Sequence, residues 1–483
     1  DDEDVYSVVA NEIVDGGRPY VEAVERKPPL LFWTYAAIVE VGGKYNWPAL
    51  HCVALLWTLG TMAGLYLIGR NLFDRETGLV AALLYSVFQP WAEFRNLAFN
   101  GELMMNLPIV WAWAIALRPS TSRLRPELLL AGALLGAGFL LKQPAAIAAV
   151  PLGVYLLWPR RGLSGFRSTV AAGLLTLGFF GTLGLVVLVL QAQGILREAF
   201  FWTITGHGIP HIFWTKGVLH TLAFIGACLP LLIGATVGCL RKYRGLWNGQ
   251  IAERNALIGF LTASAIGAAA GARFYPHYYI QLIPPLALLA AVPYAALWSG
   301  RTRPASWLLR PRVTFVWLAL TVIGFSISHW LGLAPLRRTS ETGKYLAEHS
   351  APNDRIFIWG QAPRLYLEAQ RRAAGRFVVS FPLTGYVFGW SAASIVNIDT
   401  RQWIVPGAWA ALEKDFAQHP PAYFVDVQVP AKNAHYPVRD FPFLARLLAE
   451  HYHPAARTAE GMIYQINGYG EAAKKRAEPA NTP

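Results

Sequence analysis

Long unbroken apolar runs, and not short alternating ones, fill the first two thirds of this chain. They predict ten helices, near 48–69, 78–94, 102–117, 127–141, 145–158, 169–190, 218–240, 255–272, 279–298 and 313–334. Several are short for a bilayer. One helix over 127–158 would be roughly 48 Å long against a hydrocarbon core of roughly 30 Å, so that stretch reads as a hairpin breaking at Lys142-Gln143-Pro144. After residue 335 the pattern changes. Charges spread evenly, and short apolar runs at Arg355–Trp359, Phe377–Phe381 and Ala422–Asp426 predict buried strands. Helical stretches at 340–349, 363–373 and 408–418 alternate with them, which predicts a small α/β unit. The chain therefore divides into an α-helical polytopic membrane region, 1–335, an α/β domain, 336–470, and a disordered tail, 471–483. Residues 1–47 form a first outer loop that carries interfacial helices.

Composition agrees with a membrane chain. With 54% hydrophobic and 15% charged residues, 483 residues carry too few charges to solvate an ordinary globular surface. The 18 Trp and 20 Tyr suit the two interfacial belts. A net charge of +13 raises the question of nucleic acid, and its distribution answers it. Loops 70–77, 118–126, 159–168, 241–254 and 299–312 hold sixteen Lys and Arg, whereas 95–101, 142–144, 191–217 and 273–278 hold five. The basic set marks the cytoplasmic side, so the charge orients helices and implies no nucleic acid. Residues 1–47 and everything after 335 then face outward, the periplasm or exterior of a bacterium, with the protein in the inner membrane. An acidic segment on the outer side needs something to carry it across, which predicts a first helix ahead of Asp1 and about eleven spans in all. Cys52, Cys228 and Cys239 lie in apolar stretches without metal or disulfide spacing.

The polar groups that such a chain must explain gather at outer helix mouths. Asp1-Asp2-Glu3-Asp4 puts four carboxylates together, a solvated turn or a base or metal site, since clustered carboxylates raise one another's pKa. Glu25-Arg26-Lys27-Pro28-Pro29 precedes an aromatic segment suited to the interface plane, and a lysine there can hold a lipid phosphate. The loop from Glu93 through Arg95 and Asn96 to Glu102 is short and rich in functional groups, with Glu102 opening a span. Lys142 sits too deep unless it faces a cavity or an anion. Arg273 and His277, with Tyr275, Tyr278 and Tyr279, open another span and offer donors for a phosphate, although the tyrosines alone suit an aromatic belt. His207 and His211 are four apart, but Gly and Pro spoil a helix there. His51 and His329 read as interior histidines.

Asp2-Glu3 with Tyr6 three places on, Gly16-Gly17-Arg18-Pro19-Tyr20, Lys27-Pro28-Pro29-Leu30-Leu31-Phe32-Trp33, the Leu141-Lys142-Gln143-Pro144 break and Arg273-Phe274-Tyr275-Pro276-His277-Tyr278-Tyr279 occur in order and face outward. In this the chain resembles the protein O-mannosyltransferase and lipid A aminoarabinose transferase superfamily, glycosyltransferases of the GT-C type. The resemblance covers essentially the whole chain, less securely beyond 335. It implies an inverting transfer from a polyprenyl-phosphate-sugar to a hydroxyl of an envelope glycan, lipid A or a protein. It makes Asp2 the catalytic carboxylate with Glu3 in support, and Lys27 the phosphate-binding lysine, with Arg273, His277 and Lys142 completing the clamp. Glu102 becomes a second carboxylate near the acceptor. The phosphate leaving group needs no general acid where cations stabilise its charge, so no cofactor is required, while the acidic cluster leaves room for a divalent cation. The rival reading is a transporter or flippase of a lipid-linked or anionic substrate, which predicts charges at broken helices near the midplane.

Overall fold

The computed structural model describes residues 2–91, 97–118, 125–158, 165–206, 214–240, 245–247, 249–300, 311–333, 339–386, 398–429, 433 and 435–469. The chain opens on a short helix, α1 (Asp2–Val14), and a second, α2 (Pro29–Gly42), joined by a loop. The helices that follow are α3 (Trp47–Leu72), α4 (Arg75–Phe88), α5 (Gly101–Leu117), α6 (Glu127–Leu141), α7 (Ala149–Leu157) and α8 (Gly165–Ala192). After α9 (Leu196–Phe200) come α10 (Trp214–Ala227), α11 (Leu229–Cys239), α12 (Ile251–Ala269), α13 (Ile283–Trp298) and α14 (Pro311–Leu333). Each of the ten expected runs is largely helical over its described residues, although the one over 78–94 stops at Phe88 and the one over 218–240 is split into α10 and α11.

Local chemistry starts several of them. Asn46, Asp74 and Asn100 each cap α3, α4 and α5 by accepting an N–H from the first turn. Lys142 adopts an extended backbone that ends α6, and Pro144 opens the 3-10 turn Gln143–Ala148 leading into α7, so the hairpin breaks where the proline requires it. Helices α6 and α8 touch almost backbone to backbone. A Cβ at Gly132 would collide with the carbonyl oxygen of Leu175, and one at Gly178 with that of Leu129.

Among the described residues four helices are long and apolar enough to cross a membrane: Trp47–Leu72, Gly165–Ala192, Pro276–Trp298 and Arg312–Leu331. A fifth passes if α10 and α11 count as one span, broken by 81°. Others, such as α5 and α6, are apolar but shorter. Leu55, Phe180, Leu188 and Ile323 are exposed on these helices, as lipid-facing residues are. The span Pro276–Trp298 is instead 94% buried and forms the centre of the bundle.

Past the bundle lie α15 (Glu341–His349), β1 (Arg355–Trp359), α16 (Arg364–Ala369), β2 (Arg372–Ala373) and β3 (Tyr423–Val427), then β4 (Tyr452–Arg457) and β5 (Gly461–Ile466). The sheet order is β2-β1-β3-β5-β4, with β1 parallel to β2 and β3, and β5 antiparallel to its neighbours. Two expected strands and the helices Glu341–His349 and Ala408–Gln418 stand where the pattern put them. The run Phe377–Phe381 is no strand. It is a buried irregular segment whose Phe377 meets Trp202 of the bundle, and an apolar run reports burial without reporting backbone shape. The helix expected over 363–373 ends at Ala369 because Gln370 turns left-handed, φ 54°.

The α/β unit holds α1 by its C-terminal end. Glu12, 7% exposed, accepts from Arg372 Nε at 3.0 Å and lies 3.8 Å from Arg355, while Asp15 meets Arg372 at 3.5 Å and also Lys44. Carboxylates at a helix C-terminus oppose the macrodipole, so these two require the partner cations. The backbone N–H of Val24 further donates to Arg376 O. Removing Arg372 leaves the buried Glu12 charge short of its bidentate partner. We expect Arg372→Ala to lower stability by about 1–3 kcal/mol, read from thermal unfolding of the purified protein. Exchanging the charges in Glu12→Arg/Arg372→Glu should recover much of that loss.

Candidate active site

Helix α1 carries acidic residues in its first turn, where the macrodipole favours them. The turn splits them by face. Glu3 and Asp4 are buried, whereas Asp2 is exposed. Glu3 Oε1 accepts the backbone N–H of Phe99 at 3.1 Å and meets His51 Nε2 at 3.2 Å. His51, expected inside, therefore lies half exposed at the start of α3 with Glu3 as its partner, because α1 packs beside that helix end. His329 is buried.

Asp2 accepts a hydrogen bond from the Tyr6 hydroxyl, one turn on, at 3.2 Å. Its carboxylate can be reached from outside yet is closely surrounded by protein. That partial dehydration by itself would raise its pKa. The positive charge of Lys27, then His277 and Lys142, more than offsets it and holds the carboxyl well below the usual carboxylate range. Asp2 is therefore an ionised acceptor for a proton at any pH a membrane enzyme meets.

Lys27 comes from the loop between α1 and α2. Pro28 and Pro29 fix its backbone, Tyr20 donates to its carbonyl at 2.7 Å, and its ammonium sits 3.3 Å from Glu25 Oε1 and 5.5 Å from the Tyr6 ring centre. Arg26 lies over the Phe381 ring at 4.4 Å, tying this loop to the α/β unit. Burial pulls the Arg26 guanidinium down from its ordinary value. Glu25 opposes that shift and the like charge of Arg273 adds to it. Two guanidiniums near one another, with Lys27 adjacent in the chain, make this part of the mouth electropositive. Arg273 makes no hydrogen bond or ion pair among the described residues. Arg26, which the sequence places only in a charged cluster, joins this group of cations. Its place beside the Lys-Pro-Pro bend was the available signal.

Glu102, in the first turn of α5, is 1% exposed and forms an ion pair with Lys142, while His277 Nε2 lies 3.9 Å from the same oxygen. Lys142 also stands 4.7 Å above the Tyr278 ring. The broken hairpin thus places Lys142 against an anion of its own, and the structure joins it to Glu102 more directly than to any open space. Of the residues singled out in the sequence, Asp2, Lys27, Glu102, Lys142 and His277 lie within one electrostatic neighbourhood, Arg273 lies near Arg26, and Glu3 turns to Phe99 and His51. Glu93, Arg95, Asn96, His207, His211, Asp1 and the tail 471–483 lie outside the described residues. Among the described residues no three His, Cys, Asp or Glu side chains converge as a metal site. The α10–α11 break falls at Ala227–Leu229 and carries no charge, whereas the break after α6 carries Lys142 paired with Glu102.

Residues 26–187 match the family described as dolichyl-phosphate-mannose-protein mannosyltransferase. No curated protein matches by sequence. Among solved structures, ArnT from Cupriavidus metallidurans bound to undecaprenyl phosphate superposes with a TM-score of 0.59 at 15% identity, over 97% of this chain and 94% of that one. The apo state of that protein gives 0.56 at 16% identity, over 96% and 92%. The Archaeoglobus fulgidus oligosaccharyltransferase in its apo form aligns at 0.49 and 13% identity, over 99% of this chain and 71% of that one, which carries no argument. The helical bundle with its small sheet has the GT-C fold of membrane glycosyltransferases. The chain thus shares the fold of these proteins, and residues 26–187 resemble the mannosyltransferase family.

Two outcomes follow from this geometry. Replacing Lys27 by Ala removes the largest cationic support of Asp2, so the acid limb of any Asp2-dependent pH–rate profile should move to higher pH, toward the ordinary aspartate value of roughly 3.9. Replacing Lys142 by Met strands the buried Glu102 charge and should cost about 3–5 kcal/mol, most of it regained in Lys142→Met/Glu102→Gln, as thermal unfolding would show.

Proposed function

We propose that this protein is an inverting glycosyltransferase that moves a sugar from a polyprenyl-phosphate donor to a hydroxyl acceptor at the outer face of a bacterial inner membrane. The observation that carries the reading is the exposed, ionised carboxylate of Asp2 beside a compact cluster of cations. The family match over residues 26–187 supports it, as does the undecaprenyl phosphate bound by a protein of the same fold.

In this reading Arg26, Lys27 and Arg273 hold the donor phosphate, Lys142 extends the positive field, and His277 offers a ring N–H. Asp2 takes the proton of the acceptor hydroxyl as its oxygen attacks the anomeric carbon from the side opposite the phosphate. The new bond forms as the sugar–phosphate bond breaks, and the electron pair leaves on phosphate oxygen. That charge develops against cations already in place, which lowers the barrier without a general acid and without a cofactor. Glu3 supports Asp2 by fixing the first turn of α1 to Phe99 and His51. Glu102 neutralises Lys142, and it stands close enough to serve as a second carboxylate at the sugar.

The membrane region then comprises 1–335 and the α/β domain 336–470 lies in the periplasm, above the mouth, where it faces an acceptor glycan, lipid or protein. The transferred sugar is a hexose or pentose. Purified protein should release sugar from one member of a panel of radiolabelled polyprenyl-phosphate sugars, and Asp2→Asn should lower that release about 100-fold or more while leaving thermal unfolding unchanged. Equal release from both proteins would overturn the role of Asp2. Absence of release from every donor by a folded preparation would overturn the function.

A further inference from the structure

Two buried carboxylates at the mouth are only half used. Glu25, 8% exposed, meets Lys27 through Oε1, and its Oε2 is buried with no hydrogen-bond partner among the described residues. Glu102 meets Lys142 and His277 through Oε1, and its Oε2 is likewise buried and without a partner. A buried carboxylate oxygen without a donor is destabilising, so two in one site ask for an explanation. The hydroxyls of Tyr20 and Tyr6 are committed elsewhere. Tyr20 donates its only hydroxyl proton to Lys27 O, and Tyr6 donates its own to Asp2.

The two carboxylates act on the same neighbour. Burial, then Asp2, Glu25 and Glu102 in that order, push the Tyr6 phenol well above its ordinary value, and Lys27, which Glu25 meets at 3.3 Å, stands 5.5 Å from that ring. Of the three carboxylates only Asp2 is exposed. A phosphate cannot satisfy the free oxygens of Glu25 and Glu102, because it carries negative oxygens itself and belongs with Arg26 and Arg273. What remains is the part of the donor that bears hydrogens.

Resting on the donor reading above, we propose that Glu25 and Glu102 read the sugar: each turns its free oxygen to accept a hydrogen bond from a sugar O–H or N–H, while the cations hold the phosphate. The site then distinguishes a sugar-bearing lipid phosphate from the spent carrier, which aids release of the carrier after transfer. Hydroxyls of a neutral sugar and the ammonium of an amino sugar share this chemistry. Glu25 is the more informative residue, because Glu102 also neutralises buried Lys142.

The test is equilibrium binding to the full chain in lipid nanodiscs, followed by tryptophan fluorescence. The probes are undecaprenyl phosphate, undecaprenyl phosphate glucose and undecaprenyl phosphate 4-amino-4-deoxyarabinose. Wild type should bind one sugar-bearing lipid about tenfold or more tighter than the bare phosphate. Glu25→Ala should erase most of that preference and leave undecaprenyl phosphate within about twofold, or tighter, since Lys27 is freed. Glu25→Gln separates the two sources: it keeps an acceptor oxygen and should retain part of a hydroxyl-based preference, but should lose an ammonium-based one as fully as Ala does. Unchanged thermal unfolding of both variants excludes misfolding, and a variant that unfolds is replaced by Gln alone, whose ratio of sugar-bearing to bare affinity decides. If bare and sugar-bearing lipids bind wild type equally, or if Glu25→Ala weakens both alike as loss of an ordered water would, the assignment falls. If no lipid phosphate binds wild type, the donor reading fails first and the assignment with it.

Discussion

The structure turns on a short acidic helix whose carboxylates are matched at both ends by cations from distant parts of the chain. At its start Asp2 looks toward Lys27, His277 and Lys142, drawn from three different segments. At its end Glu12 and Asp15 bind Arg372 and Lys44, and Glu12 also lies beside Arg355. Unpaired, such charges would be expelled from a half-buried position, because dehydrating an ion is more unfavourable than a helix of 13 residues can offset. Paired, they fix where α1 lies and therefore where Asp2 points.

The same logic organises the mouth. Glu102 lies buried at the start of α5 because Lys142 reaches it, and Lys142 reaches it because the hairpin breaks at Pro144. The break is thus more than a way to turn a chain inside a membrane. It brings a cation to membrane depth with its counter-ion already present, so the pair sets a field without needing solvent. Arg26 and Arg273 differ in kind: two like charges stand near one another, and Glu25 and Asp2 offset part of their repulsion.

The α/β unit enters this picture through contact with the loop that holds the cations. Phe381 lies under Arg26, Arg376 O takes the Val24 N–H, and Phe377 packs on Trp202. These contacts come from the one apolar run that departs from its expected strand. Released from the sheet, the segment is free to follow the surface of the bundle, and its aromatic side chains pack there. A regular strand could not satisfy both neighbours at once.

Much of this was legible along the chain. The helix positions followed from apolar runs, whose length and composition hold whatever they pack against, and the hairpin break followed from a proline that cannot donate. Asp2, Lys27, Glu102, Lys142, Arg273 and His277 stood out because charged groups at helix mouths in so apolar a chain need a reason. Other features had no local signal. Helix α1 is only weakly marked, since its acidic first turn reads equally as a solvated turn until the arginines of β1 and β2 are brought to its far end. The pairing of Glu102 with Lys142, forty positions apart, the placing of His51 against Glu3, the nearness of Arg26 to Arg273 and the unused oxygens of Glu25 and Glu102 are decided by which helices become neighbours. Sequence shows which residues carry charge and which segments avoid water, because those are properties of single side chains. Only the tertiary structure decides which charge meets which, because Coulomb and hydrogen-bond energies depend on distances that the chain order does not contain.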